Sequence, residues 1–192
     1  MATQGIAGFK GHLGTKVMRR HPKGLAKVAR RVSNAWWALT LGVPVIKVEL
    51  HARHYIAAEN RWEDVGLLGR HLVVDAFIDD MTALLAAGVL GNFNDFKFHD
   101  SGVGTTAENA GDTAIETTDA ESRDTGTQVN VGSGVYRSVG TIAYSSTKAI
   151  TEHGLFDEVT AGGLLDRTVF AAINVVSGDS IQFTYSLTIS GS

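Results

Sequence analysis

Several short groups of residues in this sequence have the types that enzymes use. His99, Asp100 and Ser101 are consecutive and contain the three residue types of a hydrolase triad. Members of such a triad converge in space from separated segments, so their adjacency argues against one. We therefore expect them to begin an exposed loop. Gly102-Val103-Gly104 lacks the third glycine and the strand–helix context of a dinucleotide site, so it also predicts a loop.

Metal binding is the second kind of chemistry that these residues suggest. His51 and His54 are three residues apart and would share a face on a helix, but we favour a strand here, in which they face opposite sides. His71, Glu63 and Asp64 are near in sequence and would complete a zinc site, yet the pattern matches no standard spacing. We therefore predict no metal site and no bound cofactor.

Carboxylates form two further groups, and in both the side chains are expected to be solvated. These groups are Asp75, Asp79 and Asp80 on a predicted helix, and Glu152, Asp157 and Glu158 around a predicted turn. The sequence has no phosphate loop and no nucleophile elbow, and with no cysteine it has no thiolate site. We therefore predict a protein that is not an enzyme. A carbohydrate-active or hydrolytic enzyme is the distant alternative.

Charge is distributed unevenly along the chain. Residues 1–48 contain nine basic side chains and no acidic one, whereas residues 49–192 contain eight basic and twenty acidic ones, so +9 and −12 sum to the overall −3. A basic segment on an acidic body is typical of proteins that dock onto a negative surface. We predict partner contacts within the basic segment, at Lys16, Arg19, Arg20, Lys27, Arg30, Arg31, Trp36 and Trp37.

The partner of the basic segment is either protein or nucleic acid. Trp36 and Trp37 have no second aromatic cluster near them, so they suit an interface anchor better than a platform for stacked bases. We favour protein, and nucleic acid is the less favoured alternative. No run of 18 apolar residues is present, so we expect no membrane segment. The lack of cysteine fits synthesis in a reducing cytoplasm.

The first hundred residues are predicted to combine an arm, helices and a strand. Residues 1–22, with glycine at every third position from Gly5 to Gly14, predict a basic arm. Apolar residues at steps of three and four then predict a helix over 23–40, with a β-segment over 35–41 as the alternative. Within the α+β region 23–100, Val43–Leu50 predicts a strand, and His51–Ala58 either continues this strand or pairs with it. A second helix over 72–87 is expected to bury one apolar stripe, formed by Val73, Phe77, Met81 and Leu84.

The rest of the chain is predicted to be a loop followed by antiparallel β-structure. Residues 101–134 are rich in Gly, Thr, Asp and Glu and predict an extended surface loop. Residues 135–192 predict a β region that packs with 43–58. Its strands are Ser138–Tyr144, Lys148–Gly154, Arg167–Val176 and Ser180–Ser190. Ser177-Gly178-Asp179 predicts a tight turn that joins the last strand antiparallel to the one before.

These elements together predict an α+β fold that is mainly β. We expect an antiparallel β-sandwich or jelly-roll-like C-terminal body, preceded by a basic arm and two helices.

Several blocks of the sequence carry a resemblance to a known group of proteins. They are AITEHGLFD (149–157), GGLLDRTVF (162–170), GDSIQFTYSLTI (178–189) and FKFHDSG (96–102) with Ala107-Glu108. Over about residues 94–190 they resemble structural proteins of tailed bacteriophages, including domains of tail-fibre and collar proteins. Within these blocks we expect Arg167 to pair with Glu152 or Asp157 across the turn.

The resemblance implies a virion protein, and the basic arm and helices favour a compact accessory protein on the head over a fibre. We therefore expect a capsid decoration or cement protein, made in the host cytoplasm and located on the capsid surface. Its partners would be copies of itself, most readily in a trimer, and the major capsid protein. The alternatives are a tail or neck adaptor to which fibres attach and a nucleic-acid-binding protein.

Overall fold

The computed structural model describes residues 45–71, 73–87, 96–132 and 134–190. The predicted arm (1–22) and first helix (23–40) lie outside the described residues. So do the predicted contact residues Lys16, Arg19, Arg20, Lys27, Arg30, Arg31, Trp36 and Trp37. Within the described ranges, no helix is long and apolar enough to cross a membrane.

The described chain contains one α-helix and nine strands. In chain order they are β1 (Val45–Ile56), β2 (Arg61–His71), α1 (Asp75–Ala87), β3 (Phe98–Gly102), β4 (Asp124–Thr125), β5 (Thr127–Gly132), β6 (Val135–Ala143), β7 (Lys148–Phe156), β8 (Leu164–Val175) and β9 (Ser180–Ser190). A single 3₁₀ turn, Ala57–Glu59, links β1 to β2.

The strands form two antiparallel sheets that pack face to face. One sheet has five strands in the order β2-β1-β9-β6-β5, and the other has four in the order β4-β3-β7-β8. Side chains of the two sheets meet around Phe183 of β9, whose ring centroid lies 4.5 Å from that of His153 and 6.3 Å from that of Phe170. The predicted α+β fold with an antiparallel sandwich is confirmed.

Strand β9 is the centre of the five-stranded sheet. Ile181, Phe183, Tyr185 and Leu187 are buried, and the residues between them are partly exposed. This alternation of period two is the pattern from which the strand was predicted, and the observed bounds equal the predicted ones. The strand β1 pairs with β9 from Val45 to Tyr55, so the described part of the predicted segment 43–58 packs against the C-terminal region as expected.

The predicted partner of β9 is wrong. Strands β8 and β9 belong to different sheets, and β9 pairs with β1 and β6 on its two edges. The turn at residues 177–179 therefore carries the chain from one sheet to the other. Asp179 holds this turn, because its buried carboxylate accepts hydrogen bonds from the backbone N–H of Val176 at 3.0 Å and of Ala57 at 2.9 Å.

Helix α1 begins at Asp75, three residues after the predicted start. Val73 and Phe77 are buried and Met81 is partly buried against the core, as the apolar stripe predicts, and the side chain of Leu84 lies outside the described ones. The carboxylate side chains on the other face are exposed, as expected, and they are Asp75, Asp79 and Asp80.

The predicted surface loop over 101–134 is wrong at both ends. Ser101 and Gly102 belong to β3, and residues 124–125 and 127–132 form β4 and β5. Strand β5 was missed because it is an edge strand, whose apolar residues Val129 and Val131 face solvent and leave little hydrophobic signal. Within the predicted loop, residues 103–123 form no helix or extended strand, and they lie against the four-stranded sheet.

Candidate functional site

The four-stranded sheet carries buried polar residues on both of its faces. Glu152 and His153 are consecutive in β7, so their side chains point to opposite faces. Both are completely buried. His153 faces the five-stranded sheet, whereas Glu152 faces residues 103–117. The prediction that Glu152 is solvated at a turn is therefore wrong, because the residue lies inside a strand with donors around it.

Glu152 holds the 103–123 segment through backbone hydrogen bonds. Its Oε1 accepts from the N–H groups of Gly104 at 2.9 Å and Thr117 at 2.8 Å. Its Oε2 accepts from the N–H of Glu116 at 2.9 Å and from Nε of Arg167 at 2.7 Å. Four donors thus satisfy one buried carboxylate, which is how a buried charge is tolerated.

Arg167 extends the same network. The predicted pairing of this residue with Glu152 is confirmed, and its guanidinium also donates to Asp112 Oδ2 at 3.0 Å and to the carbonyl oxygen of Thr106 at 3.2 Å. A further contact joins it to Glu116 Oε2 at 3.3 Å. Glu152 and Arg167 together fix residues 104–117 on the outer face of β7 and β8.

A second set of bonds fixes the end of the segment and involves the His99-Asp100-Ser101 sequence. The predicted exposed loop is wrong here, since all three residues are buried in β3. Asp100 pairs with Nε of Arg123 at 2.9 Å, and the guanidinium lies 3.4 Å from the ring centroid of Phe156. On the other face, Ser101 donates to Asp119 at 2.5 Å. Burial raises the pKa of Asp100, against the opposing effect of Arg123.

The inner face of the sheet contains a hydrogen-bonded chain of Ser138, His99 and His153. His99 Nδ1 lies 2.9 Å from His153 Nε2, and His99 Nε2 lies 2.9 Å from Ser138 Oγ. A serine bonded to two linked histidines has the connectivity of a proton relay for a nucleophile. All three side chains are inaccessible to solvent, so no substrate reaches Ser138 in this arrangement.

Three buried polar side-chain atoms have no hydrogen-bond partner among the described residues. They are His153 Nδ1, Asp166 Oδ1 and Tyr185 Oη. Burial lowers the pKa of His99 to about 3 and raises the pKa of Asp166 to about 7. The core of the sandwich therefore favours neutral forms of both residue types, because desolvation penalises the charged form of either.

The unpartnered hydroxyl of Tyr185 gives a first testable prediction. Replacing Tyr185 with phenylalanine removes a buried hydroxyl that makes no hydrogen bond to the described residues. The free energy of unfolding should therefore stay equal or rise by about 1 kcal/mol. The matched control is Tyr144→Phe, which removes a buried hydroxyl 3.1 Å from Ser101 Oγ and should cost about 1 kcal/mol. Urea denaturation at pH 6 measures both. A clear loss in Tyr185→Phe would show that the hydroxyl is bonded.

Of the remaining candidate metal ligands, His54 and Glu63 are opposite each other in the pairing of β1 with β2, but no metal site results. His54 bonds to Asp179 at 3.2 Å, whereas His51, also on β1, is exposed. No group of three or more His, Asp or Glu side chains that could hold a metal ion occurs in the part of the chain that the structure describes.

The sequence interpretation placed Tyr185 on the buried face of the last strand but missed the buried polar residues Ser138, His153 and Asp166. The signal available was weak but real. Polar residues occupy inward positions in strands whose other inward residues are apolar, as in Ile181–Leu187, where Tyr185 stands among Phe183 and Leu187. Glu152 and His153 likewise stand between Ile150 and Leu155.

Comparison with known proteins finds no match. No protein family, curated protein or solved structure is significantly similar to this chain.

Proposed function

We propose that this protein is a structural component of a tailed-phage particle, which decorates the capsid and stabilises it by bridging subunits. The proposal starts from the short sequence blocks within residues 94–190 that resemble phage virion proteins, although no known protein matches the chain as a whole. The placement of the chemical residues supports it too, because Glu152, Arg167 and Asp100 fasten the 103–123 segment to the sheet. Buried ion pairs that hold a long segment against a sheet suit a structural protein that must stay folded under mechanical load.

The observation that carries the proposal is one edge of the five-stranded sheet, where β2 pairs with no further strand among the described residues. Strand β2 forms this edge and β5 forms the opposite one; β2 is 11 residues long and exposes Trp62, Val65 and Leu67 by 39%, 39% and 41%. A long edge strand with apolar side chains tends to pair with another chain unless something covers it. In a particle, a neighbouring subunit would bury this edge.

The charge distribution indicates how subunits would be joined. Residues 49–192 carry −12 and residues 1–48 carry +9, so the basic segment of one subunit complements the body of the next. The 44 residues before β1 reach up to about 150 Å when fully extended, which is ample to contact a neighbour. The partners are copies of this chain, most readily in a trimer, and the major capsid protein.

Neutralising the basic segment tests this proposal. We expect the full chain to sediment as an oligomer whose dissociation is promoted by salt, because screening weakens attraction between exposed charges. A variant with Arg19→Gln, Arg20→Gln, Arg30→Gln and Arg31→Gln should sediment as a monomer at every salt concentration. Sedimentation velocity between low and high ionic strength measures this, and circular dichroism checks that the fold is retained.

Deleting residues 2–9 is the matched control, since this stretch contains no charged residue and its loss should leave the oligomer intact. A monomeric full chain would overturn the proposal. So would DNA binding at physiological salt that the four substitutions abolish without changing the oligomer. Electron cryomicroscopy of purified particles then tests location: copies at three-fold positions support decoration of the head, whereas a ring at one vertex supports the tail or neck alternative.

A further inference from the structure

The cluster of polar residues between the two sheets contains more titratable groups than its surroundings can solvate. Five strands, two from one sheet and three from the other, contribute to it. Its members are His99 of β3, Ser138 of β6, His153 of β7, Asp166 and Thr168 of β8 and Tyr185 of β9, and each is buried. Thr168 donates to Asp166 Oδ2 at 3.0 Å, and Oδ1 of the same carboxyl has no partner among the described residues.

The hydrogen bonds of the two histidines can be satisfied when both rings are neutral. One N–H lies between His99 and His153, and the bond to Ser138 runs in whichever direction the His99 tautomer requires. The chain then ends at His153 Nδ1, which has no partner among the described residues. Among the described residues neither ring has a carboxylate within hydrogen-bond distance, so an added proton would create a buried charge without a hydrogen-bonded counter-ion.

We propose that this cluster makes closure of the sandwich depend on pH: the two sheets pack fully only while both histidines are neutral and the Asp166 carboxyl is protonated. Acid opens the structure through the histidines and alkali loosens it through Asp166. The dependence is a property of the fold and does not rest on the proposed function.

The acid side follows from the histidines. Burial lowers the pKa of His99 to about 3, and burial together with the neighbouring His99 lowers the pKa of His153 well below its usual range. In the unfolded chain both titrate near 6.5. The unfolded chain therefore binds more protons below that pH, so the stability contributed by the neutral pair is present above about 6.5 and is lost as the pH falls.

The alkaline side follows from Asp166. Burial raises its pKa from 3.8 to about 7. The folded chain therefore binds the extra proton between these two values, so the contribution of the neutral carboxyl is present below about 4 and is lost as the pH rises through 7. Ionisation is unfavourable here because the carboxylate would have one oxygen bonded to Thr168 and the other unpartnered.

Other titratable groups pack around the cluster without bonding to either histidine. They are Asp124, which lies beside Gly140 next to the His99 ring, Asp119 and Tyr144, which bond to Ser101 on the same face, and Tyr136 near Tyr185. Glu108 acts on Asp166 from the 103–123 segment. Each is common to the wild type and the variants below, so differences between pH profiles isolate the cluster.

Unfolding equilibria of the full chain between pH 4 and 8 test the proposal. Between pH 4 and 6 the unfolded wild type holds two more protons on the histidines and one fewer on Asp166. Because of this net difference of one proton, the cluster should lower the unfolding constant about tenfold for each unit by which the pH rises. In Asp166→Asn the difference is two protons and the fall should be about a hundredfold per unit. In His99→Gln or His153→Gln the net proton difference is zero, so the cluster should give the unfolding constant no pH dependence in this range.

Above pH 6.5 the loss through Asp166 and the gain through the two histidines nearly cancel, so the wild-type stability should stay level towards pH 8. In Asp166→Asn only the gain remains, so its unfolding constant should still fall about fourfold over the same range. If the histidine variants do not fold, imidazole resonances of the wild type decide the question. We expect two of the seven histidines to show no titration between pH 5 and 8. Profiles of wild type and Asp166→Asn that run parallel from pH 4 to 8, or seven histidines that all titrate near pH 6.5, would overturn the proposal.

Discussion

Replacing Glu152 with glutamine is expected to lower the free energy of unfolding by about 3–5 kcal/mol, the range measured when one partner of a buried ion pair is removed. The side chain keeps its size, so no cavity contributes. The loss comes from the donors that surround the carboxylate, which are the backbone N–H groups of Gly104, Glu116 and Thr117 and the guanidinium of Arg167.

Glutamine cannot accept from all four donors. Its oxygen can replace one carboxylate oxygen, but its NH2 group then faces two N–H donors in the place of the other. In the orientation that keeps the bonds to Gly104 and Thr117, the amide nitrogen faces the N–H of Glu116 and Nε of Arg167. The guanidinium also loses its closest charged partner and remains nearly buried.

The effect should be local as well as global. Because Glu152 fixes residues 104–117 on β7 and β8, the variant should release this segment, and limited proteolysis should cut it faster than in the wild type. Urea denaturation measures the global loss. Glu158→Gln is the matched control, since that side chain is exposed, and it should change stability by less than about 0.5 kcal/mol. Equal losses in the two variants would contradict this account.

A double-mutant cycle separates the ion pair from the backbone bonds. Glu152→Gln combined with Arg167→Met removes both charges, and the combined loss should be smaller than the sum of the single losses by about 2 kcal/mol, because neither charge is left without its partner. The remaining loss belongs to the N–H groups of the 103–123 segment. Strict additivity would mean that the two residues act independently.

The sequence predicts the elements whose burial follows a simple period and fails where that period is interrupted. Strand β9 alternates without a break, and its bounds were predicted to the residue. Strand β2 was not predicted. Its pairing with β1 shifts register twice, leaving Val65 and Leu68 as extra residues, and Gly66 has a positive φ of 81°. Each bulge reverses the alternation, so the strand has no continuous pattern.

The polar core is invisible to local patterns for a different reason. A buried histidine or glutamate has the same composition signal as a solvated one, and its partners lie far along the chain. His99 bonds to residues 39 and 54 positions away, and Glu152 bonds to residues 35 to 48 positions before it. Only the pairing of Arg167 with Glu152 was predictable, because both flank one hairpin.

Alanine at Gly140 is expected to destabilise the protein by about 3 kcal/mol or more, since an extra atom in a packed core commonly costs 1–3 kcal/mol and here also disturbs buried hydrogen bonds. Gly140 lies in β6, and its added Cβ would stand 2.6 Å from Cγ of the buried His99 ring and closer still to Cδ2. The ring cannot retreat, because Gly126 packs against its Cδ2 and Nε2.

Displacing the His99 ring would break its bonds to Ser138 and His153 and leave their polar atoms buried without partners, which adds to the steric cost. Gly111→Ala is the control, because its nearest neighbour would lie at 3.6 Å, an ordinary contact, and its effect on the urea midpoint should be small.

Removing the ring tests whether the clash itself is the cause. His99→Ala alone should be destabilising, because it leaves a cavity and two unpaired groups. In the His99→Ala background, however, the Cβ of Gly140→Ala enters the space that the ring has left, so the second substitution should cost less than about 1 kcal/mol. If Gly140→Ala costs the same with and without the ring, its effect arises from the backbone of β6 or from Asp124, whose Oδ2 would lie 3.0 Å from the new Cβ, and contact with His99 plays no part in it.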